Sequence, residues 1–268
     1  MRYFLWAFFL CSSIYWTACH SVTNPNPPVL EPQRYNFTGE SKCDTATRRG
    51  ITVSVSYFQL RDESDAGRVI NAALRDLAAK SITSWLDSAT VAQHPDAQTD
   101  LNKAATLLAA SYDSMANDIG ALGGCWELQT KGDTLHANSK ILSVKLSAYA
   151  YTGGAHPNSS TSLYTFDRTT GKPLSLTDLV TDTTALLGIV EKAFRKHQDL
   201  LPQYNLEERG YFLRDGKFFL PANVALARDG LLFYYNPYEI AAYAVGPIEV
   251  TVPYSQLQTV LNDDWQAD

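Results

Sequence analysis

The sequence predicts an α+β protein, with antiparallel sheets packed against helices in two linked lobes. Two observations predict it. Strand-like segments follow one another through short turns, and helical segments fall in separate blocks. Together they favour antiparallel sheet over a doubly wound parallel one.

The elements follow in order. Ile51 to Leu60 (ITVSVSYFQL) alternates apolar and polar, the period of a half-buried strand. Asp62 to Asp65 offers a helix N-cap and first-turn acids. Ile70, Leu74, Leu77 and Trp85, widened by Ala78, Ile82 and Leu86, then mark an amphipathic helix over about Ala66 to Asp87. A second stripe, Leu101, Ala105, Leu108, Tyr112, Met115 and Ile119, predicts another helix, capped near Thr99 or Asp100 and ended by Gly120, Gly123 and Gly124. Cys125 to Thr130, Lys140 to Tyr151 and Thr161 to Arg168 read as strands. Thr181 or Asp182 caps a third helix with Leu186, Val190, Phe194, His197 and Leu201 on its face, and Pro202 stops it. Phe218 to Leu220 reads as a short strand. Val224 to Ala227 and Leu231 to Tyr235 flank the turn Arg228-Asp229-Gly230, Gly246 to Pro253 is a further strand, and Tyr254 to Leu261 a short last helix.

The N-terminus reads as an export leader. Arg2 is the charged region, and Tyr3 to Tyr15 is an apolar run shorter than the roughly 20 residues a spanning helix needs. Trp16-Thr17-Ala18-Cys19 is similar to the lipobox of bacterial lipoproteins, with Trp16 where an aliphatic residue is usual. Residues 1–18 are therefore expected to be a signal peptide and Cys19 a lipidation site, with plain leader cleavage as the alternative. Residues 19–34, rich in Pro and Asn, read as an extended tether. The lobes follow as 35–150 and 151–268. This predicts a lipid-anchored protein of the bacterial cell envelope. In that oxidising setting the remaining cysteines, Cys43 and Cys125, are expected to form a disulfide; the alternative is two buried thiols. Neither has a neighbour at zinc-ligand spacing.

The net charge of -6 argues against nucleic acid as a partner. The sequence carries no GxSxG, HExxH, Walker or GxGxxG motif, and its five histidines share no ligand spacing. It thus predicts no metal, no cofactor and no catalytic residue, and a protein more of binding than of catalysis. Two segments stand out. Tyr151-Thr-Gly-Gly-Ala-His-Pro-Asn158 places Gly153 and Gly154, free to take positive φ, before His156, which Pro157 holds extended. Its loop is expected to run from Thr152 to Ser160. His156 reads as a lock on an awkward turn, with ligand contact and catalysis as alternatives. Phe233 to Tyr243 (FYYNPYEIAAY) is dense in tyrosine and holds one acid, Glu239. Exposed, Tyr235 and Tyr238 beside it suit sugar stacking or a protein interface; otherwise they fill the gap between sheet and helix.

TGGAHPN, then TFDRTTGKPLSLTDL (165–179), then GLLFYYNPYEIAAYAVGPIEVTVPYSQL (230–257) resemble the extracytoplasmic domain of RsiV, the lysozyme-sensing anti-sigma factor. They also resemble the non-catalytic domains that precede the deacetylase of PdaC. The resemblance makes 35–150 a PdaC-type lobe and 151–268 an RsiV-type lobe. It implies an envelope binding module whose partner is a lysozyme-like protein or peptidoglycan, with Gly153, Gly154, His156, Tyr238 and Glu239 as matching motif positions. No segment matches RsiV's spanning helix or the Asp/His motif of PdaC. Two other functions stay open at this point: a cell-wall hydrolase using His156, and a structural or adhesive surface lipoprotein.

Overall fold

The computed structural model describes residues 27–119 and 124–265. The leader, Cys19 and the first part of the expected tether lie outside the described residues.

Six strands form one sheet in chain order: β1 Leu30–Thr38, β2 Ile51–Leu60, β3 Trp126–Ala137, β4 Ile141–Thr152, β5 Asn158–Asp167 and β6 Pro173–Leu174. All neighbours are antiparallel except β2 and β3, which run parallel from Ile51 opposite Trp126 to Ser56 opposite Lys131. Parallel neighbours need a long crossover. It is supplied by α1 Asp65–Thr83, α2 Ser88–Gln93 and α3 Leu101–Ile119. Three further strands, β7 Asn223–Leu226, β8 Gly230–Tyr235 and β9 Ile248–Pro253, form a second antiparallel sheet. Around it lie α4 Leu176–Leu179, α5 Thr183–His197 and α6 Tyr254–Leu257.

Local chemistry explains the boundaries. The Ser64 hydroxyl accepts from the Gly67 amide and starts α1. The helix expected to reach Asp87 stops at Thr83, because Asp87 is itself an N-cap: its carboxylate accepts from the Thr90 amide and begins α2. Trp85 and Leu86 still fold back onto the core. Asp100 accepts from the Asn102 and Lys103 amides at the start of α3, and Asp182 caps α5. Two expectations are corrected. Leu30–Arg34, read as tether, belong to β1, where Pro32 is tolerated because β1 is an edge strand. Phe218 to Leu220 form no strand. Phe218 and Phe219 are consecutive and both buried, anchoring a loop to the core. The lobe boundary expected at residue 150 falls inside β4.

The molecule is layered. Ile51, Val53, Val55 and Leu128 face Ala78, Ile82, Ala105 and Leu108 of the first helices. The alternation of β2 slips phase at Ser56 and Tyr57, so Phe58 and Leu60 join Ile70, Leu74 and Val144. On the opposite face, Leu163 of β5 packs with Ala225, Leu232 and Tyr234 of the second sheet. The outer side of that sheet, Leu231, Phe233, Tyr235, Val250 and Val252, is covered by Leu186, Val190 and Phe194 of α5. Cys43 and Cys125 form the disulfide, with Cα atoms 5.0 Å apart across 82 residues of sequence.

Candidate functional site

The two segments that stood out in sequence meet in space. The first loop is shorter than expected. Strand pairing of Ala150 with Asn158 carries β5 back to Asn158, leaving Gly153 to Pro157 to turn the chain. Gly153 turns it at φ +86°. It sits against Gly124, where a Cβ would lie 2.8 Å from the Gly153 Cα; two backbones touch beside the disulfide. Gly154 has space for a side chain. Tyr151 lies in β4 opposite Glu127 and is half-buried.

His156 is exposed. Its ring stacks on Tyr243, centroids 4.5 Å apart and planes at 24°. Tyr243 in turn lies 5.3 Å from the Tyr238 ring at 30°. One carbonyl fixes this ladder: the Tyr243 hydroxyl donates to the Pro157 oxygen at 2.9 Å, and His156 Nδ1 lies 2.9 Å from the same oxygen. A carbonyl only accepts, so that contact selects the Nδ1-protonated imidazole.

The tyrosine-rich loop is clamped from below. Asn236 uses its whole side-chain amide on the Thr161 backbone, accepting from the Thr161 amide at 2.7 Å and donating to its carbonyl at 2.9 Å. Glu239 accepts from the Asn236 amide at 2.9 Å, while its own amide donates to the Asn236 carbonyl. Its carboxylate therefore holds the turn, and its hydrogen bond and that of His156 go to different partners. Tyr238 sits at φ +67°, a conformation unfavourable for an aromatic residue, and is 58 % exposed.

Tyr235 corrects an expectation. It is fully buried, and its hydroxyl donates to the Phe219 carbonyl at 2.8 Å. Burial, with Glu239 nearby, raises its pKa far above the ordinary phenol value. It is a core residue, filling the gap between sheet and helix. Among the described residues, no group of three His, Cys, Asp or Glu is placed to hold a metal ion.

A second feature was not singled out in the sequence. A cleft of about 470 Å³ lies over β2 to β5 beside Tyr234, lined by Ser54, Ser56, Gln129, Lys131, Ser147 and Tyr149 among others. The signal was present in the polar phase of the alternating strands, Ser54 and Ser56, then Ser147 and Tyr149.

Comparison with known proteins follows the same division. A family described as Deacetylase PdaC matches residues 51–159, and one described as a protein of unknown function, DUF3298, matches residues 177–255. The chain belongs to the PdaC/DUF3298-type domain family. A DUF3298 family protein of Pseudomonas aeruginosa superposes with a TM-score of 0.62 at 18 % identity, over 90 % of this chain and 97 % of that one. A DUF3298 family member of Bacteroides fragilis gives 0.61 at 21 %, over 88 % and 94 %. Both share the fold. Among curated proteins, the immunogenic protein MPT64 of Mycobacterium tuberculosis and MPB64 of Mycobacterium bovis are 27 % identical over 126 residues, 44 % of this chain. The chain spans about half the length of these relatives, 51 %. His156 lies in the PdaC-type match and Tyr238 and Tyr243 in the DUF3298 match, so the ladder joins the two.

Proposed function

We propose that this chain is a non-catalytic binding module of the bacterial cell envelope, anchored by lipid on Cys19, that docks a lysozyme-like protein on the His156–Tyr243–Tyr238 ladder. The observation that carries the reading is the ladder itself. Three rings in series, His156 stacked on Tyr243 and Tyr243 tilted against Tyr238, join the two motif segments, with Tyr238 standing in solvent. Aromatic residues with a polar tip anchor protein interfaces, because they bury much area at little cost in rotamer freedom. The Asn236 clamp and the shared Pro157 carbonyl preorganise the surface, which lowers the ordering cost of binding. The chain's net charge of -6 suits a basic partner and favours fast encounter.

The test is calorimetric titration with a c-type lysozyme and, separately, with muropeptides. The reading predicts lysozyme binding with Kd below about 1 μM, weakened at least tenfold in His156→Ala and in Tyr238→Gly. Glycine accepts the positive φ at 238, so that variant removes the ring without straining the turn. Muropeptide binding lost in the same variants would move the partner from protein to peptidoglycan. Lysozyme binding unchanged in both variants would remove the ladder from the account.

A further inference from the structure

Strand register places eight side chains in two rows across the first sheet. Ser54 pairs with Gln129, Gln129 with Tyr149 and Tyr149 with Ser159. One step along, Ser56 pairs with Lys131, Lys131 with Ser147 and Ser147 with Thr161. Residues at alternate positions share a face, so both rows stand on the side away from α1 and α3. The second sheet covers this face only near β5, and the rest forms the open trough. Its floor crosses four strands, about 14 Å at the ordinary strand spacing, and its volume of about 470 Å³ is that of a small-molecule site.

The chemistry of the floor is specific. Apart from Lys131, whose ammonium is 3.0 Å from Asp133, every row member is uncharged. Ser, Thr, Gln and Tyr groups both donate and accept hydrogen bonds. The wall is formed by Tyr234 of the second sheet. Tyr234 is only 8 % exposed, yet it lines the trough. Lys145 rests over its ring at 5.0 Å and ties to Glu249 across the two sheets. Two residues along the chain, Asn236 grips Thr161, so the wall is fixed against the floor.

We infer that this trough binds a neutral oligosaccharide of two or three rings. The half-buried Tyr149 ring stacks on a sugar face, the Ser54, Gln129 and Ser159 side chains exchange hydrogen bonds with its hydroxyls, and the Tyr234 hydroxyl completes the contact from the wall. A mixed donor and acceptor surface without net charge matches a sugar, whose hydroxyls also donate and accept; it matches neither a phosphate nor an acidic peptide. The site is separate from the His156–Tyr243–Tyr238 ladder and stands whether or not a protein docks there.

The experiment is a titration of the intact chain with triacetylchitotriose, cellotriose and maltotriose in turn, followed by heat and by amide NMR shifts. At least one should bind saturably with Kd below about 1 mM, with shifts concentrated on β2 to β5. Tyr234→Phe, which keeps the ring and removes only the hydroxyl, should weaken that binding about tenfold, and Tyr149→Ala should weaken it at least as much. His156→Ala should leave it unchanged, which keeps this test distinct from that of the ladder. No saturable binding of any of the three, or binding unaltered in both tyrosine variants, overturns the inference.

Discussion

Tyr235 and Tyr238 are three residues apart and have opposite fates. Tyr235 points under β8 into the aromatic cluster of Phe194, Phe218 and Phe219. Tyr238 points out after the turn that Glu239 closes. Periodicity cannot separate them, because β8 is buried on both faces and shows no alternation. Loss of one buried hydroxyl partner costs about 1 kcal/mol. Tyr235→Phe should therefore lower stability by about that amount in urea denaturation and leave ladder binding intact. Tyr254 gives a pH prediction. Its hydroxyl donates to the Ala227 carbonyl at 2.8 Å, and burial, with Asp229 nearby, pushes its pKa up to about 12. A raised folded-state value stabilises the fold below the unfolded phenol value, near 10, and that contribution disappears as pH rises through 12. Tyr254→Phe should flatten the loss of stability across that alkaline window, read by circular dichroism during denaturation at successive pH values.

At the scale of elements, caps and stripes were legible and edges were not. The α3 stripe and its Asp100 cap are local signals, and the structure places them as the sequence does. The strand β1 was hidden because Pro32 and polar residues mask its alternation, and what makes it a strand is pairing with β2, from Leu30 opposite Leu60 to Thr38 opposite Thr52. The parallel pairing of β2 with β3 was hidden for a similar reason: pairing partners 75 residues apart leave no trace in local pattern. Leu30 packs partly buried beside Phe58 and Leu60. Leu30→Ala should cost about 1 kcal/mol if β1 is part of the fold, whereas a residue in a free tether costs nothing; thermal melting of the variant decides. Ser64→Ala should also cost about 1 kcal/mol, through loss of the α1 cap.

For the whole molecule, the disulfide and the docking of the sheets decide which surfaces exist. The Cys43–Cys125 bond closes a long loop, worth about 4 kcal/mol in the chain-entropy account. Replacing both cysteines by serine should lower the melting temperature accordingly. Half of the candidate site was legible, since the GGAH loop and the tyrosine-rich loop announced themselves by composition. Their meeting was not, because it depends on the Asn236 clamp to Thr161, two groups 75 residues apart. The measurement that tests the central claim most directly is calorimetric titration of the chain and its Tyr238→Gly variant with a c-type lysozyme. The account predicts Kd below about 1 μM for the chain and a loss of tenfold or more in the variant. No heat from the chain, or equal affinity in the two, would contradict it.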